Sequence, residues 1–359
     1  MEKKLFDFCI GNPPYQAETA ELKKDSSNGQ TPKKNVFHFL QMAADEVTND
    51  TSVMIYPGGR WIQRSGKGMA EFGLNQINSK ELSKVYFYPN SKELFPNAAI
   101  PDGITIVIKN HKKQKQGFDY IYCENGNQTM VHIMNPGDNI LPLNPKDLII
   151  TQKIEDFVSK NHLPYMHDRI LPRSLFGIES NFAEQNVTKV RLLDSVEMID
   201  YSKEIKLFTN DKAGKAGRAT WFVANKDVIQ NNQEYITKWK VVVSSANAGG
   251  QKRDNQLEII DNHSAFGRSR VALAAFDTQD EAENYFSYTQ SHIIRYSYLL
   301  TDEALTTLGL KVPDIIDYTN KNTYINFEDD IDTQLCNLMG FSDVEFQYIK
   351  DTVESIRRK

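Results

Sequence analysis

The chain has 359 residues, 40% hydrophobic and 25% charged, ordinary values for a globular protein and long enough for two domains. A net charge of -5 argues against blanket nucleic-acid binding, whose usual footprint is a basic domain, but leaves room for a locally basic groove. No apolar run approaches the roughly 18 residues of a membrane span, Met1–Lys4 carries no signal-peptide pattern, and the expected location is the cytoplasm.

Leu5–Ile10 is a short apolar run ending at Gly11-Asn12-Pro13-Pro14-Tyr15. Residues 16–35 are polar and rich in Lys, Ser, Asn and Gly, and a loop of that length is usually functional or disordered. Apolar spacing at Val36, Phe39, Leu40, Ala43, Ala44 and Val47 predicts a helix. Thr51–Tyr56 reads as a strand stopped by Pro57-Gly58-Gly59, residues 69–78 as a short helix, and Leu82–Tyr88 and Ile104–Ile108 as strands. This alternation predicts half of an α/β sheet. Residues 111–117 read as a charged hairpin turn or linker before a strand at Phe118–Cys123. Beyond about residue 150 the pattern becomes a mixture of strands, loops and helices. Thr278-x-x-Glu281 is a capping box opening one helix of roughly 20 residues, Gln279–Leu299. Residues 328–357 read as two short helices broken near Gly340. Cys9, Cys123 and Cys336 are far apart, have no metal-ligand spacing and are expected to be reduced, packed thiols.

The sharp chemistry lies in Asn12-Pro13-Pro14-Tyr15 at a strand end. The lone pair of an exocyclic amine is delocalised into its ring. The Asn12 side-chain carbonyl and the Pro13 backbone carbonyl can each accept a hydrogen bond from such an NH2 group. That draws the nitrogen towards tetrahedral geometry and frees its lone pair to attack a sulfonium methyl, an effect of positioning and electrostatics. Pro13 and Pro14 fix φ and present the carbonyls rigidly. Tyr15 offers a ring for stacking on an extruded base. A bare Asn-Pro-Pro also serves as a strand-terminating turn.

Phe6-Asp7-Phe8-Cys9-Ile10-Gly11-Asn12-Pro13-Pro14-Tyr15-Gln16 resembles the restriction–modification methylase family, the adenine-N6 enzymes of type IIG and related systems. Ser52–Trp61, Gly66–Phe72 and Tyr88–Pro96 resemble segments that follow in that family. Phe276–Glu283 and Val312-Pro313-Asp314 resemble its recognition-domain tail. The resemblance implies that Asn12 and Pro13 bind the target amine, that Tyr15 stacks on the base, and that Phe95 is the aromatic on its other side. It also implies S-adenosylmethionine as cofactor. In the family the glycine-rich turn that holds this cofactor precedes the NPPY segment, whereas here 11 residues precede Asn12. The nearest candidates, Ala213–Gly217 and Ala248-Gly249-Gly250, sit in polar loops without an acidic ribose-binding partner. A partner chain or a missing segment is therefore expected to supply the cofactor-binding half, and a half sheet would expose an edge and a face.

The expected fold is α/β: a partial Rossmann-like methyltransferase sheet over 1–150, a mixed α+β target-recognition domain over 151–325, and a C-terminal helical segment over 326–359. Lys212, Lys215, Arg218, Asn247, Gln251, Arg253, Arg268 and Arg270 are the residue types that read base edges or hold phosphates of double-stranded DNA. The expected function is a site-specific DNA adenine-N6 methyltransferase component of a restriction–modification or phage-defence system. The alternatives are a non-catalytic DNA-specificity subunit that retains NPPY as a relic, and a protein-glutamine or RNA methyltransferase. The length of chain after the motif favours DNA.

Overall fold

The computed structural model describes residues 4–18, 33–65, 68–134, 136–138, 140–194, 198–214, 217–302 and 304–357. Lys215, the Gly66-Lys67 pair and most of the 16–35 loop lie outside the described residues. The chain divides into two compact units, Met1–Ile149 and Ile150–Lys359.

The first unit runs β1 (Phe6–Gly11), β2 (Gln16–Glu18), β3 (Lys33–Asn35), α1 (Phe37–Val47), β4 (Thr48–Pro57), α2 (Gly59–Ile62), α3 (Met69–Ile77), β5 (Leu82–Tyr88), β6 (Ile104–Asn110), β7 (Phe118–Glu124) and β8 (Asn127–Ile133). Six strands form one mixed sheet in the order β1-β4-β6-β5-β7-β8, and β2 and β3 make a separate small ladder. β1 lies parallel to β4, with Cys9 opposite Ser52 and Gly11 opposite Met54. β6 runs antiparallel to both β4 and β5. The carboxyl ends of β1, β4 and β5 therefore share one side of the sheet.

The core covers one face. Phe37 of α1 stacks on Tyr56 at 4.9 Å, and the buried Trp61 donates its indole N–H to the Thr105 hydroxyl at 3.0 Å. Trp61 is thus a core residue. The opposite face is bare at β1, where Phe8 and Ile10 stand beside Thr51 and Val53 and are 67% and 81% exposed. Residues 111–117 make no hairpin turn. β7 pairs in parallel with β5 instead of antiparallel with β6, so the segment crosses over β5. Lys113 pins that crossing by donating to the carbonyls of Lys80, Leu82 and Gly117.

The second unit contains α4 (Asp147–Lys160, entering at the boundary), α5 (Phe182–Gln185), β9 (Val190–Leu192), β10 (Glu204–Asn210), β11 (Ala219–Asn225), β12 (Trp239–Ser244), β13 (Glu258–Ile260), β14 (Ser264–Phe266), β15 (Arg270–Phe276), α6 (Gln279–Gln290), α7 (His292–Leu299), α8 (Ile331–Met339) and α9 (Asp343–Arg357). Its sheets are β14-β10-β11-β9 and β13-β12-β15. Residues 326–359, expected as a separate segment, place Leu335, Met339, Ile349 and Val353 in the same core as Val241, Leu273 and Tyr285. Asp314 is buried there and satisfied by Arg169 at 2.8 Å, the Tyr318 hydroxyl at 3.0 Å and the Ile316 N–H at 2.9 Å. Lys240 on β12 is fully buried, and its amine donates to four carbonyls, those of Tyr235, Ile236, Asp261 and Ser264, at 2.8–3.2 Å.

The capping box at Thr278 is formed in full. The single helix expected after it is two. Ser291 adopts an extended ψ of 152°, and a new helix starts at His292. The Asp332 carboxylate accepts the His292 and Ile293 N–H groups at 3.0 Å each, so a cap supplied by α8 replaces one helical turn of local bonding. A hydrophobic pattern alone carries no trace of that distant cap. The break at Gly340 is present, with φ +68° ending α8.

Glu345 closes a capping box with Ser342 at the start of α9 and pairs with Lys153 of α4 at 2.7 Å. Lys153 first, and then the Ser342 N–H, hold its carboxyl down at about 2. The lowered folded-state pKa means the contribution is complete above the unfolded value and is lost as pH falls from about 4.5 towards about 2. Glu345→Gln should lower stability at pH 7, and urea titrations should show the gap to wild type closing as pH falls through that window.

Candidate functional site

β1 delivers the Asn12–Tyr15 turn to the carboxyl end of the sheet, where ligands of open α/β sheets characteristically bind. Gly11 permits this because a Cβ there would lie 2.9 Å from the Met54 sulfur. The turn is anchored on its far side by the Val36 N–H, which donates to the Tyr15 carbonyl at 3.1 Å, and by the β2–β3 ladder. Tyr15 is half-buried, and burial raises the pKa of its phenol.

The β5–β6 connection supplies the opposite wall. Phe95-Pro96-Asn97-Ala98 is a β-turn closed by the Ala98 N–H on the Phe95 carbonyl at 2.9 Å, with Pro where its fixed φ suits the turn. Ser91 braces it. Its buried hydroxyl donates to the Ala98 carbonyl at 2.9 Å and accepts the Ile100 N–H at 2.8 Å, while its own carbonyl takes the Phe95 N–H at 2.9 Å. Farther along, Gly58 and Gly59 donate to the Gly103 and Asp102 carbonyls at 3.0 Å each, tying the loop to the end of β4. A Cβ on Gly58 would come within 2.0 Å of the Asp102 oxygen, so the approach requires glycine.

Residues 12–15, 95–98 and Ile100 together line an open pocket of about 600 Å³. That volume lies within the roughly 300–1,000 Å³ of small-molecule sites. All four residues of the NPPY turn and Phe95 meet in it. The walls are mostly ring and aliphatic carbon, with the amides of Asn12 and Asn97 and the Tyr15 hydroxyl as polar side-chain groups. The sequence reading missed Asn97. Its signal was adjacency to Phe95 in a Pro-Asn turn. Arg60 pairs with Asp102 at 2.9 Å and does not line the pocket.

The residues assigned to DNA separate into two groups. Asn247 is buried, donating to the Arg253 carbonyl and accepting the Lys252 N–H at 3.2 Å. Gln251 donates to the Tyr298 and Asp302 carbonyls at 3.1 and 3.2 Å. Arg270 is buried, pairs with Glu258 at 3.0 Å and lies 4.8 Å over the Phe208 ring. These three hold the fold, and their inward bonds withdraw them from a DNA surface. Lys212 and Arg218 are exposed on the β10–β11 connection, and Arg253 and Arg268 are exposed on other loops. Arg268 pairs with Glu179 at 2.8 Å.

The Ala248-Gly249-Gly250 turn does not fit S-adenosylmethionine. A Cβ on Gly249 would meet the Gln251 side chain at 2.3 Å, Gly250 faces the Arg295 guanidinium, and Gly217 abuts the Lys212 carbonyl. Gly249 and Gly250 are thus closed in by Gln251 and Arg295, whereas a Cβ on Gly214 would meet nothing within 4 Å. Among the described residues no cluster of His, Cys, Asp and Glu could hold a metal ion, and no helix is long and apolar enough to cross a membrane.

Residues 1–95 match the Eco57I restriction-modification methylase family. Curated proteins gave no match. Among solved structures, the type I restriction-modification methyltransferase subunit from Streptococcus thermophilus is similar at 15% identity and a TM-score of 0.25, covering 36% of this chain and 29% of that one. The type IIG restriction endonuclease BpuSI is similar at 10% identity and a TM-score of 0.34, covering 98% and 53%. The type IIL restriction-modification enzyme MmeI, solved in complex with DNA, is similar at 9% identity and a TM-score of 0.39, covering 97% and 53%. The chain spans about half or less of the length of each.

Ser91→Ala should leave the Ala98 carbonyl and Ile100 N–H without a partner, at about 1–3 kcal/mol. Chemical denaturation checks the loss, and faster amide exchange over 95–100 should accompany it.

Proposed function

We propose that this chain is the amine-binding, DNA-recognising part of a DNA adenine-N6 methyltransferase in a restriction–modification or phage-defence system. The observation that carries the proposal is the shared pocket of Asn12–Tyr15 and Phe95 at the carboxyl end of β1. The family match over residues 1–95, which contains every one of those residues, supports it.

In the proposed reaction an extruded adenine lies between the rings of Tyr15 and Phe95. The Asn12 carbonyl and the Pro13 carbonyl accept the two hydrogens of its amine, and the nitrogen becomes pyramidal with its lone pair exposed. Tyr15 takes no part as an acid or base. Burial raises its pKa, which keeps the phenol neutral, and its contribution is the ring face. The methyl donor, S-adenosylmethionine, is assigned to a protein partner or a further segment, because the Ala248-Gly249-Gly250 turn offers it no cradle. The unpaired edge of β1 and its exposed Phe8 and Ile10 are where such a partner would cover apolar surface. Double-stranded DNA would meet the exposed Lys212, Arg218, Arg253 and Arg268, with Lys215 as a further candidate from the sequence.

The chain alone should bind S-adenosylmethionine weakly or not at all. A low-micromolar dissociation constant by calorimetry would overturn the assignment of the cofactor to a partner. In the active assembly, Asn12→Ala should reduce single-turnover methylation by about 10²–10³ while DNA affinity holds. Tyr15→Ala should weaken base capture by about 1–3 kcal/mol, and Tyr15→Phe should be mild. If Asn12→Ala methylates at the wild-type rate, the specificity-subunit reading, with NPPY as a relic, becomes the better account.

A further inference from the structure

We propose that Asn97 reads the ring nitrogen beside the target amine, donating to N1 of adenine, so that the pocket selects the pairing of an amine with an adjacent acceptor. The inference rests on the reading of this pocket as a base site.

Three observations single out Asn97. It lies in the turn that lines the same pocket as the NPPY segment, and it and Asn12 contribute the pocket's two side-chain amides. Neither amide has a hydrogen-bond partner among the described residues. Turn formation does not explain the residue either. Asn is ordinarily favoured in a turn because it tolerates a left-handed backbone or bonds its own backbone two residues on. Asn97 is absent from the residues with positive φ, and the turn is held by Pro96, the Ala98–Phe95 bond and the Ser91 brace instead. The amide is therefore held on a rigid turn, exposed and open to a ligand.

The chemistry of the base supplies what is lacking. With the amine hydrogens taken by the Asn12 and Pro13 carbonyls, the next atom along adenine's pairing edge is N1, an acceptor with two carbonyls and no donor from the NPPY side. The Asn97 NH2 group meets that need. Guanine and thymine carry an N–H at the corresponding position and would confront the donor with another donor. The other walls offer ring and aliphatic surface for stacking, so discrimination falls to the amides.

The test uses the full chain and a duplex with one adenine opposite an abasic site, which lowers the cost of extruding the base. A second duplex carries 1-deazaadenine there, which keeps the amine and replaces N1 by C–H. Fluorescence anisotropy should give a preference for adenine of roughly tenfold or more in the wild type. Asn97→Ala should bind both duplexes equally, at the wild-type affinity for the analogue. Asn97→Asp, which replaces the donor by an acceptor, should also lose the preference. The residue is exposed, and circular dichroism checks that both variants fold. If Asn97→Ala keeps the wild-type preference, or if the wild type shows none while Tyr15→Ala weakens binding, the proposal is overturned and the base-pocket reading stands. If Tyr15→Ala also binds as wild type does, or the chain does not distinguish adenine from a second abasic site, the base-pocket reading itself falls and this proposal with it.

Discussion

The parallel pairing of β1 with β4 is the constraint on which the candidate site depends. Residue by residue it puts Gly11 against Met54, and thereby fixes where the chain leaves the sheet. The carbonyls of the following turn sit on two successive prolines, which fix φ but remove the N–H groups that would tie a loop down. Their positions are inherited from the strand before and from the Val36 and β2–β3 anchors after. The facing turn is inherited from β5 and β6 in the same way, with Ser91 as its internal strut. A pocket assembled from two loops thus has the precision of one sheet.

That sheet is unusual at β1. An edge strand in a natural protein is commonly protected by lysine, proline, a bulge or a covering helix. β1 has a register irregularity between Phe6 and Phe8, but its outward residues are Phe6, Phe8 and Ile10, and α1 covers only the other face. The strand that carries the catalytic candidates is also the least covered strand of its sheet. The two facts fit a site that is finished by a partner, as proposed.

Much of this was legible in the residues. The 3.6-residue spacing from Val36 gave α1, and β-branched runs gave β4, β5 and β6, because these elements obey local periodicity. The NPPY turn was legible because its chemistry is local to four residues. Phe95 was placed by resemblance, and it lines the pocket; Asn97, two positions on, was missed because a Pro-Asn pair reads first as a turn. What failed was non-local. The cap on α7 comes from Asp332, some 40 positions away, and the crossover at 111–117 depends on which strand β7 chooses to pair with. Asn247, Gln251 and Arg270 looked like DNA readers because polar residues in glycine-rich loops resemble contacts to a ligand, and only their inward hydrogen bonds reveal them as internal braces. Lys212, Arg218, Arg253 and Arg268 keep their exposure.

Lys240 has a consequence of a different kind. Its amine lies at the meeting point of β12, the turn at Tyr235 and Ile236, and the strand ends at Asp261 and Ser264, with four carbonyls around a group that offers three hydrogens. Water has no access to it, so reagents that modify amines have none either. Surface lysines of the chain would be acylated within the time of mixing, while Lys240 would be acylated only when the surrounding strands separate. Its rate of modification, read by mass spectrometry, is a clock for the opening of the second unit. It needs no engineered probe, runs in the presence of DNA or of any partner, and reports whether binding at the loops is felt at the strands around Lys240.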